Sequence, residues 1–103
     1  MAGKIEARLK ELGIELPAPS QPAGTYVPFV RAGNLVFISG QGPVGPKGLE
    51  YQGKVGKEQD VDAAKAAARL TMINVLAQLK AACGGDLDRV QRCVKLLGFV
   101  NST

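Results

Sequence analysis

The residues with the clearest chemical potential lie in a glycine-rich stretch that follows a strand-like run. Its glycines match the spacing GxGxxG and are Gly40, Gly42 and Gly45. In dinucleotide-binding proteins this spacing opens directly into a helix whose N-terminus faces the pyrophosphate. Here Pro43 and Pro46 lead into further loop instead. The pattern therefore argues against a nucleotide site.

Two uses of the glycine stretch remain open from the sequence alone. One is a plain turn without a function. The other is a loop whose backbone N–H groups, around Ser39, Gly40 and Gln41, contact a small ligand, because absent side chains allow close approach.

Other reactive side chains give weaker signals. Tyr26 begins the first strand-like run and is typical of a half-buried strand aromatic whose hydroxyl lies at the rim. The chain has no His, which excludes acid, base and triad mechanisms that depend on one. Cys83 and Cys93 do not have CxxC spacing. We expect both thiols to be buried small apolar groups rather than metal or redox groups.

Composition narrows the class of protein. The 103 residues are 46% hydrophobic and 21% charged, which is typical of one small globular domain. The net charge of +4 could suit an anionic ligand or RNA. However, bases and acids are mixed and aromatics are few, which argues against nucleic acid. With no apolar run of about 18 residues and no signal-peptide core, we expect a cytoplasmic protein without membrane contact.

The strongest structural prediction is a long helix from Val61 to Ala82 with two opposed apolar stripes. The first stripe contains Val61, Ala64, Ala68, Met72, Val75, Leu79 and Ala82, and the second contains Ala66, Leu70, Ile73, Ala77 and Ala81. Asn74 and Gln78 separate the stripes along one flank. One stripe can cover a sheet, whereas the other needs a second helix or another chain. We therefore expect an assembly.

The elements before this helix are a short helix and a hairpin. Lys4–Leu12 has the apolar spacing of a short amphipathic helix that must dock on something. A proline-containing linker follows. Tyr26–Val30 and Leu35–Ser39 then predict two antiparallel strands, joined by a tight turn with Gly33 and Asn34 at positive φ.

The remaining segments complete a predicted β-α-β unit. Gly40–Gly48 is predicted to be loop, and Glu50–Val55 a short edge strand. Asp86–Val90 predicts a one-turn connector. Cys93–Val100 is an almost unbroken apolar run, which predicts a strand buried on both faces.

The order of these segments closely resembles the RidA (YjgF/YER057c) family. The residues that carry the resemblance are Tyr26, the hairpin FVRAGNLVFISGQGPVGPKG, the helix DVDAAKAAARLTMINVLAQLKAACGGDLDRV and the run CVKLLGFV. LLGFVNST resembles the endoribonuclease L-PSP-like branch. The prediction is one RidA-like domain over 1–103, with an N-terminal helix extension at 1–16, a linker at 17–25 and a partial β-α-β core at 26–103.

The resemblance implies a chorismate-mutase-like α+β fold, with a mixed sheet and a long helix on one face, in a homotrimer with clefts between subunits. It implies hydrolysis of enamines or imines such as 2-aminoacrylate to 2-keto acids, without metal or cofactor. Tyr26 matches a cleft tyrosine of the family, and Gly40 matches a glycine whose backbone contacts the ligand. Ser39 and Gln41 flank that glycine and are further binding candidates.

The sequence departs from the family at its C-terminal side. The resemblance places an arginine that clamps the substrate carboxylate, a glutamate that helps place water, a second helix and the last strands beyond the equivalent of Val100. Neither Arg31 nor Arg92 aligns with that arginine. We therefore expect a fragment or shortened form of a longer family member, the alternative being a natural short form that assembles differently. In both cases we expect impaired deaminase activity. The alternatives are a non-enzymatic module that binds small carboxylates and, less favoured, an endoribonuclease.

Overall fold

The structure is a computed structural model that describes residues 3–19, 21 and 24–103. In chain order its elements are α1 (Lys4–Glu11), β1 (Phe29–Ala32), β2 (Leu35–Ile38), β3 (Val44–Gly45), β4 (Gly48–Leu49), α2 (Val61–Ala82) and a 3₁₀ turn (Leu87–Arg89). The fold is mixed α+β, with two small antiparallel sheets and one long helix, as the sequence predicted. The predicted linker lies partly outside the described residues, at Ser20, Pro22 and Ala23.

Helix α2 has the bounds that its sequence predicts. Its alanines favour helix, and the Asp60 carboxylate accepts a hydrogen bond from Ala63 N at 2.8 Å, which satisfies one of the free N–H groups of the first turn. At the other end Gly84 and Gly85 adopt positive φ, which few other residues tolerate. No helix in the described part of the chain is long and apolar enough to cross a lipid bilayer.

The main hairpin pairs β1 with β2 in the register Phe29–Ile38 to Ala32–Leu35. Its two-residue turn has positive φ at Gly33 but not at Asn34, so the prediction was wrong for Asn34. Positive φ at only the first central residue is the pattern of a type II′ turn. The strands are also shifted from the prediction, because Tyr26 lies in a bend before β1 and Ser39 lies after β2.

A second hairpin occupies part of the stretch predicted to be loop. β3 pairs with β4 through Val44–Leu49 and Gly45–Gly48. Gly48 has a φ of 112°, a value that supports the sharp reversal after Pro46. The predicted edge strand at Glu50–Val55 is reduced to isolated parallel bridges from Val55 to Gln59 and Ser102.

Helix α2 packs on β1, β2 and β3 with a face that the two-stripe pattern did not identify. The buried residues of the helix are Asn74, Ala77 and Gln78, so the packed face joins the predicted polar flank to Ala77 of the second stripe. Val61 and Met72 of the first stripe are exposed. Leu70 and Ile73 of the second stripe are half-buried, so that stripe does not simply face water. The hydrophobic pattern did not predict this packed face, because backbone carbonyls opposite the helix accept hydrogen bonds from a buried amide side chain.

The prediction of a buried strand at Cys93–Val100 was wrong. Residues 91–100 form no strand, and Phe99 is 88% exposed. The segment is held at both ends: Leu87 is buried before it, and after it Val55 N donates to Asn101 O at 2.9 Å. An apolar run becomes a strand only when a neighbouring strand accepts its backbone hydrogen bonds, and none of the described residues does so here.

The chain leaves much apolar surface uncovered. Its accessible surface is 7888 Å², whereas a compact monomer of this mass is expected to expose roughly 5,500 Å². Among the described residues only Ala77 and Leu87 are buried apolar side chains. The excess of roughly 2,300 Å² is as large as many interfaces between subunits.

The N-terminal helix α1 is attached to the 3₁₀ turn by carboxylates. Asp88 accepts hydrogen bonds from Lys4 N at 2.7 Å and Ile5 N at 2.9 Å, and so caps a helix more than 80 residues earlier in the chain. Glu6 Oε1 accepts from Leu87 N at 3.2 Å. These backbone hydrogen bonds, from Ile5 and then Lys4, lower the pKa of Asp88.

Acid is therefore expected to weaken the attachment of α1. Because the pKa of Asp88 is lowered in the folded state, its contribution is fully present above the ordinary aspartate pKa of about 3.9 and is lost as the pH falls through the lowered value. In Asp88→Asn, hydrogen exchange at the Lys4 and Ile5 amides should be faster at neutral pH and lose this acid dependence.

Asp62→Asn is a matched control because Asp62 is an exposed carboxylate in the first turn of α2, outside the α1 contact. It should leave exchange at Lys4 and Ile5 unchanged. Equal exchange at these amides in wild type and Asp88→Asn would contradict the attachment described above.

Candidate functional site

The glycine loop, defined as Ser39–Gly42, follows β2 directly and is fixed at its first residue. Ser39 N and Ser39 Oγ both donate to Pro28 O, each at 3.0 Å. These two hydrogen bonds tie the loop to the segment just before β1, which also contains Tyr26. The donors of Ser39 are thus used by the protein in this structure, and a ligand would compete with Pro28 for them.

The centre of the glycine loop is open. Gly40 is exposed, and a methyl group built on it would have no heavy atom within 4 Å outside its chain neighbours. Gln41 is half-buried, and its Nε2 donates to Ser39 O at 3.2 Å. No hydrogen bond to another described residue uses the backbone N–H of Gly40, Gln41 or Gly42. Three consecutive backbone N–H groups of the loop are therefore without a partner among these residues.

Asn74 fixes the far end of the glycine loop, a role that its place between the two apolar stripes of the helix did not indicate. It is 3% exposed, and its Nδ2 donates to Gly42 O and to Val44 O, both at 2.9 Å. The signal that could have found it is Pro43, which supplies no N–H to a partner strand and leaves neighbouring carbonyls to be satisfied from elsewhere.

Tyr26 lies beside the loop's anchor in sequence rather than within a strand. Tyr26 is 45% exposed. Its ring lies close to Gly24, so that a methyl group added to Gly24 would be 3.3 Å from Tyr26 Cε2. Pro28, two residues later, accepts the hydrogen bonds of Ser39. The structure thus brings the segment of Tyr26 to the start of the glycine loop, and the binding roles of Tyr26, Ser39, Gly40 and Gln41 stay predictions.

The glycine loop has no charged partner among the described residues, since no hydrogen bond or ion pair joins it to the side chain of a described Lys, Arg, Asp or Glu. Arg31 is directed to the hairpin turn, where its Nε donates to Gly33 O at 3.0 Å. Arg92 lies in the exposed segment 91–100. Neither arginine takes the role of a carboxylate clamp here.

An acidic cluster lies elsewhere, where α1 meets the 3₁₀ turn. One carboxylate oxygen each of Glu6, Asp86 and Asp88 lies within 4.8 Å of the others, a spacing that could hold a cation. However, Asp88 uses both oxygens to cap α1, and Asp86 Oδ1 accepts from Asp88 N. These carboxylates have a structural role, and no residue of the glycine loop lies among them.

Two shallow grooves lie beside the N-terminal arm, away from the glycine loop. One has a volume of about 510 Å³ between α1, the residues after it and Lys80. The other, of about 330 Å³, is lined by residues 16–19 and the C-terminal end of α2. Neither contains a residue of the predicted site. Cys83 is half-buried and Cys93 is exposed, so the prediction of a buried thiol was wrong for Cys93.

Comparison with known proteins decides the family. Residues 6–103 match the family described as "YjgF/chorismate_mutase-like, putative endoribonuclease". The chain belongs to the YjgF/chorismate mutase-like family. The resemblance found in the sequence is thereby confirmed, and the fold of two small sheets and a long helix agrees with that of YjgF-like structures.

Individual relatives agree with this assignment. The chain is 44% identical over 102 residues to Protein TCP17 of Trypanosoma cruzi, a match that covers 99% of this chain and 63% of that protein. Among solved structures, Atu1372 of Agrobacterium tumefaciens, described as having unknown function, is 46% identical with a TM-score of 0.75. A protein described as a "putative endoribonuclease" from Shewanella oneidensis is 42% identical with a TM-score of 0.77.

The YjgF-like chain is shorter than these relatives. The match to Atu1372 covers 85% of this chain and 53% of that one, and the match to the Shewanella protein covers 82% and 55%. The chain thus spans about half the length of the solved structures and 63% of the curated relative.

Proposed function

We propose that this YjgF-family protein is of the enamine/imine deaminase type and hydrolyses reactive intermediates such as 2-aminoacrylate to 2-keto acids. The observation that supports this most is the glycine loop, where the N–H groups of Gly40, Gln41 and Gly42 have no partner among the described residues and Gly40 is open to solvent. Such a row of amides suits an anionic or carbonyl-like oxygen.

The proposed reaction needs positioning more than strong acid or base groups. The enamine tautomerises to an imine, water adds to the imine carbon, and the resulting carbinolamine releases ammonia to leave the 2-keto acid. Backbone donors of the glycine loop would orient the substrate's oxygens, and Tyr26 would form part of the wall. Neither role requires a metal or an organic cofactor.

A non-enzymatic module that binds small carboxylates is the second candidate. It is favoured by the absence, among the described residues, of a charged side chain bonded to the glycine loop. Without a cationic anchor the loop can hold a carboxylate only through neutral donors, which bind less tightly. We therefore propose that deaminase activity is impaired in the chain as described.

An endoribonuclease is the third candidate, because the matched family and the Shewanella protein carry that label. Nothing in the geometry of the glycine loop supplies a general acid and base for phosphodiester cleavage. RNA binding that weakens steeply with salt, together with cleavage, would support this activity. If the protein does not bind RNA even at low salt, the endoribonuclease is rejected.

One kinetic experiment separates the candidates. 2-Aminoacrylate is generated in place by a dehydratase acting on serine, and pyruvate release is timed with and without the protein, while calorimetry measures binding of 2-oxobutanoate. Faster pyruvate release supports the deaminase, and binding without acceleration supports the carboxylate-binding module. If the protein neither binds 2-oxobutanoate nor accelerates pyruvate release, both candidates are rejected.

We further propose a homotrimer that covers the outer face of the main hairpin. Val30, Leu35 and Phe37 alternate onto that face and are 52%, 48% and 58% exposed. Half-exposed apolar side chains in adjacent strands form a patch that water solvates poorly. The excess exposed surface described above is of the size that such contacts remove.

Phe37→Asp is expected to shift the protein toward monomer, because a carboxylate cannot be buried at an apolar interface without a partner. Light scattering should give three times the mass of one chain for the wild type and a lower mass for the variant. Gln52→Asp is the control, since it adds the same charge at an exposed polar position. A monomeric wild type, or an unchanged mass in Phe37→Asp, would contradict the proposal.

A further inference from the structure

The amide of Asn74 is one of two buried side-chain amides in the described part of the chain, the other being that of Gln78. Asn74 lies in the third quarter of α2, on the face packed against the sheets, and only 3% of the residue is exposed. Burying an amide without partners costs about 1–3 kcal/mol in proteins, so a helix that only needed to cover a sheet would favour an apolar residue here.

Both N–H groups of the Asn74 amide have acceptors, and both acceptors belong to the chain around Pro43. Gly42 O and Val44 O each accept from Nδ2 at 2.9 Å, across about 30 residues of sequence. An NH₂ group has two hydrogens, and two bonds at this distance use both. The helix thus grips the chain where the glycine loop ends and β3 begins.

The opposite end of the glycine loop is held independently. Ser39 N and Oγ bond to Pro28 O, so the loop is fixed at residue 39 and again at residue 42. Gly40 and Gln41, whose backbone N–H groups have no acceptor in the described part of the chain, lie between the two fixed points. A segment of four residues with both ends bonded has little freedom left to lose when a ligand binds.

We propose that Asn74 is the positioning residue of the ligand site: its amide holds the glycine loop in the conformation that presents the N–H groups of Gly40 to Gly42. This inference rests on the proposed function for the identity of the ligand, a small 2-keto or 2-imino carboxylate. Asn74 itself does not touch that ligand. It acts through the carbonyls of Gly42 and Val44.

The test compares Asn74→Leu with Thr71→Val. Leucine fills a similar volume without donating, whereas Thr71 lies one turn away on α2 and its hydroxyl bonds only to Ala67 O in the same helix, at 2.8 Å. Binding of 2-oxobutanoate is measured by calorimetry, and the backbone amide signals of Gly40, Gln41 and Gly42 by nuclear magnetic resonance.

Asn74→Leu should weaken 2-oxobutanoate binding about tenfold or more and shift the amide signals of the glycine loop. Thr71→Val should change neither. A purely structural role would lower the melting temperature of Asn74→Leu and leave binding by the remaining folded protein unchanged. Unchanged affinity in folded Asn74→Leu would therefore overturn the inference.

A wild-type titration covers the case in which Asn74→Leu does not fold. Addition of 2-oxobutanoate should then shift the loop amides together with the Asn74 side-chain NH₂ signals, while the Thr71 amide stays in place. A shift of the loop amides alone would overturn the role of Asn74. If the wild type does not bind 2-oxobutanoate, the proposed ligand is wrong. The role of Asn74 is then tested by hydrogen exchange at the backbone amides of Gly40 to Gly42. Exchange is expected to be faster in Asn74→Asp than in the wild type.

Discussion

Gly40→Ala is expected to weaken 2-oxobutanoate binding by about 10- to 100-fold while the protein stays folded. A ligand oxygen that bonds the glycine loop must approach the backbone, and a methyl group on Gly40 would occupy that approach. A hydrogen bond to a charged group contributes about 1.5–3 kcal/mol, and its loss corresponds to a change in affinity of this size.

The structure predicts that the substitution does not harm the fold. Gly40 does not have positive φ, and an added methyl has no other heavy atom within 4 Å. We therefore expect the free energy of unfolding to change by less than about 1 kcal/mol. Calorimetry gives the affinity, and thermal unfolding gives the stability.

Gly98→Ala is the matched control for Gly40→Ala. Gly98 also lacks positive φ and also has open space around an added methyl, but it lies in the exposed segment 91–100. The Gly98→Ala variant should bind 2-oxobutanoate with the affinity of the wild type. Equal affinity in Gly40→Ala and Gly98→Ala would show that the ligand does not approach the backbone of Gly40.

Leu87→Ala is expected to lower the free energy of unfolding by about 2–5 kcal/mol. Leu87 is 2% exposed, lies between the end of α2 and the segment 91–100, and is one of the two buried apolar residues in the described part of the chain. Removing its side chain leaves a cavity that its neighbours fill only partly. Since small domains are stable by only about 5–15 kcal/mol, much of the stability is at risk.

The measurement for Leu87→Ala is urea unfolding followed by circular dichroism. Leu97→Ala removes the same atoms from a residue that is 67% exposed, and it should cost no more than about 0.5 kcal/mol in a dilute, dissociated sample. Equal losses in the two variants would show that Leu97 is covered by protein in solution and that Leu87 does not dominate the core.

Sequence patterns predicted the helices of this protein better than its strands. α2 was placed at its observed bounds, because the N-cap Asp60, the run of alanines and the terminal glycines are all local signals. The hairpin turn at Gly33 followed from the same kind of signal. Cys93–Val100 was misjudged, because an apolar extended run becomes a strand only beside a partner, and partners are not encoded within the run itself.

The site divides in a similar way. The glycine spacing and the family resemblance identified Gly40, Ser39 and Gln41 as candidates, since lack of side chains and local sequence are visible without coordinates. The separation of Asn74 from Gly42 by about 30 residues hid their contact. In a sequence, an amide between two apolar stripes of a helix is expected to face solvent. Asn74 is buried instead, because the carbonyls of Gly42 and Val44 lie opposite it and accept its hydrogen bonds.

By itself, the sequence of this YjgF-family protein determined the long helix, the tight hairpin and the glycine stretch, because each depends on residues that are neighbours along the chain. Tertiary structure alone decided which face of α2 is buried, that Asp88 caps α1, and that Asn74 holds the loop. These three outcomes depend on hydrogen bonds between groups about 30 to more than 80 residues apart. Such bonds form only once the fold has brought the two groups within hydrogen-bond distance, and residues that are neighbours along the chain do not encode that approach.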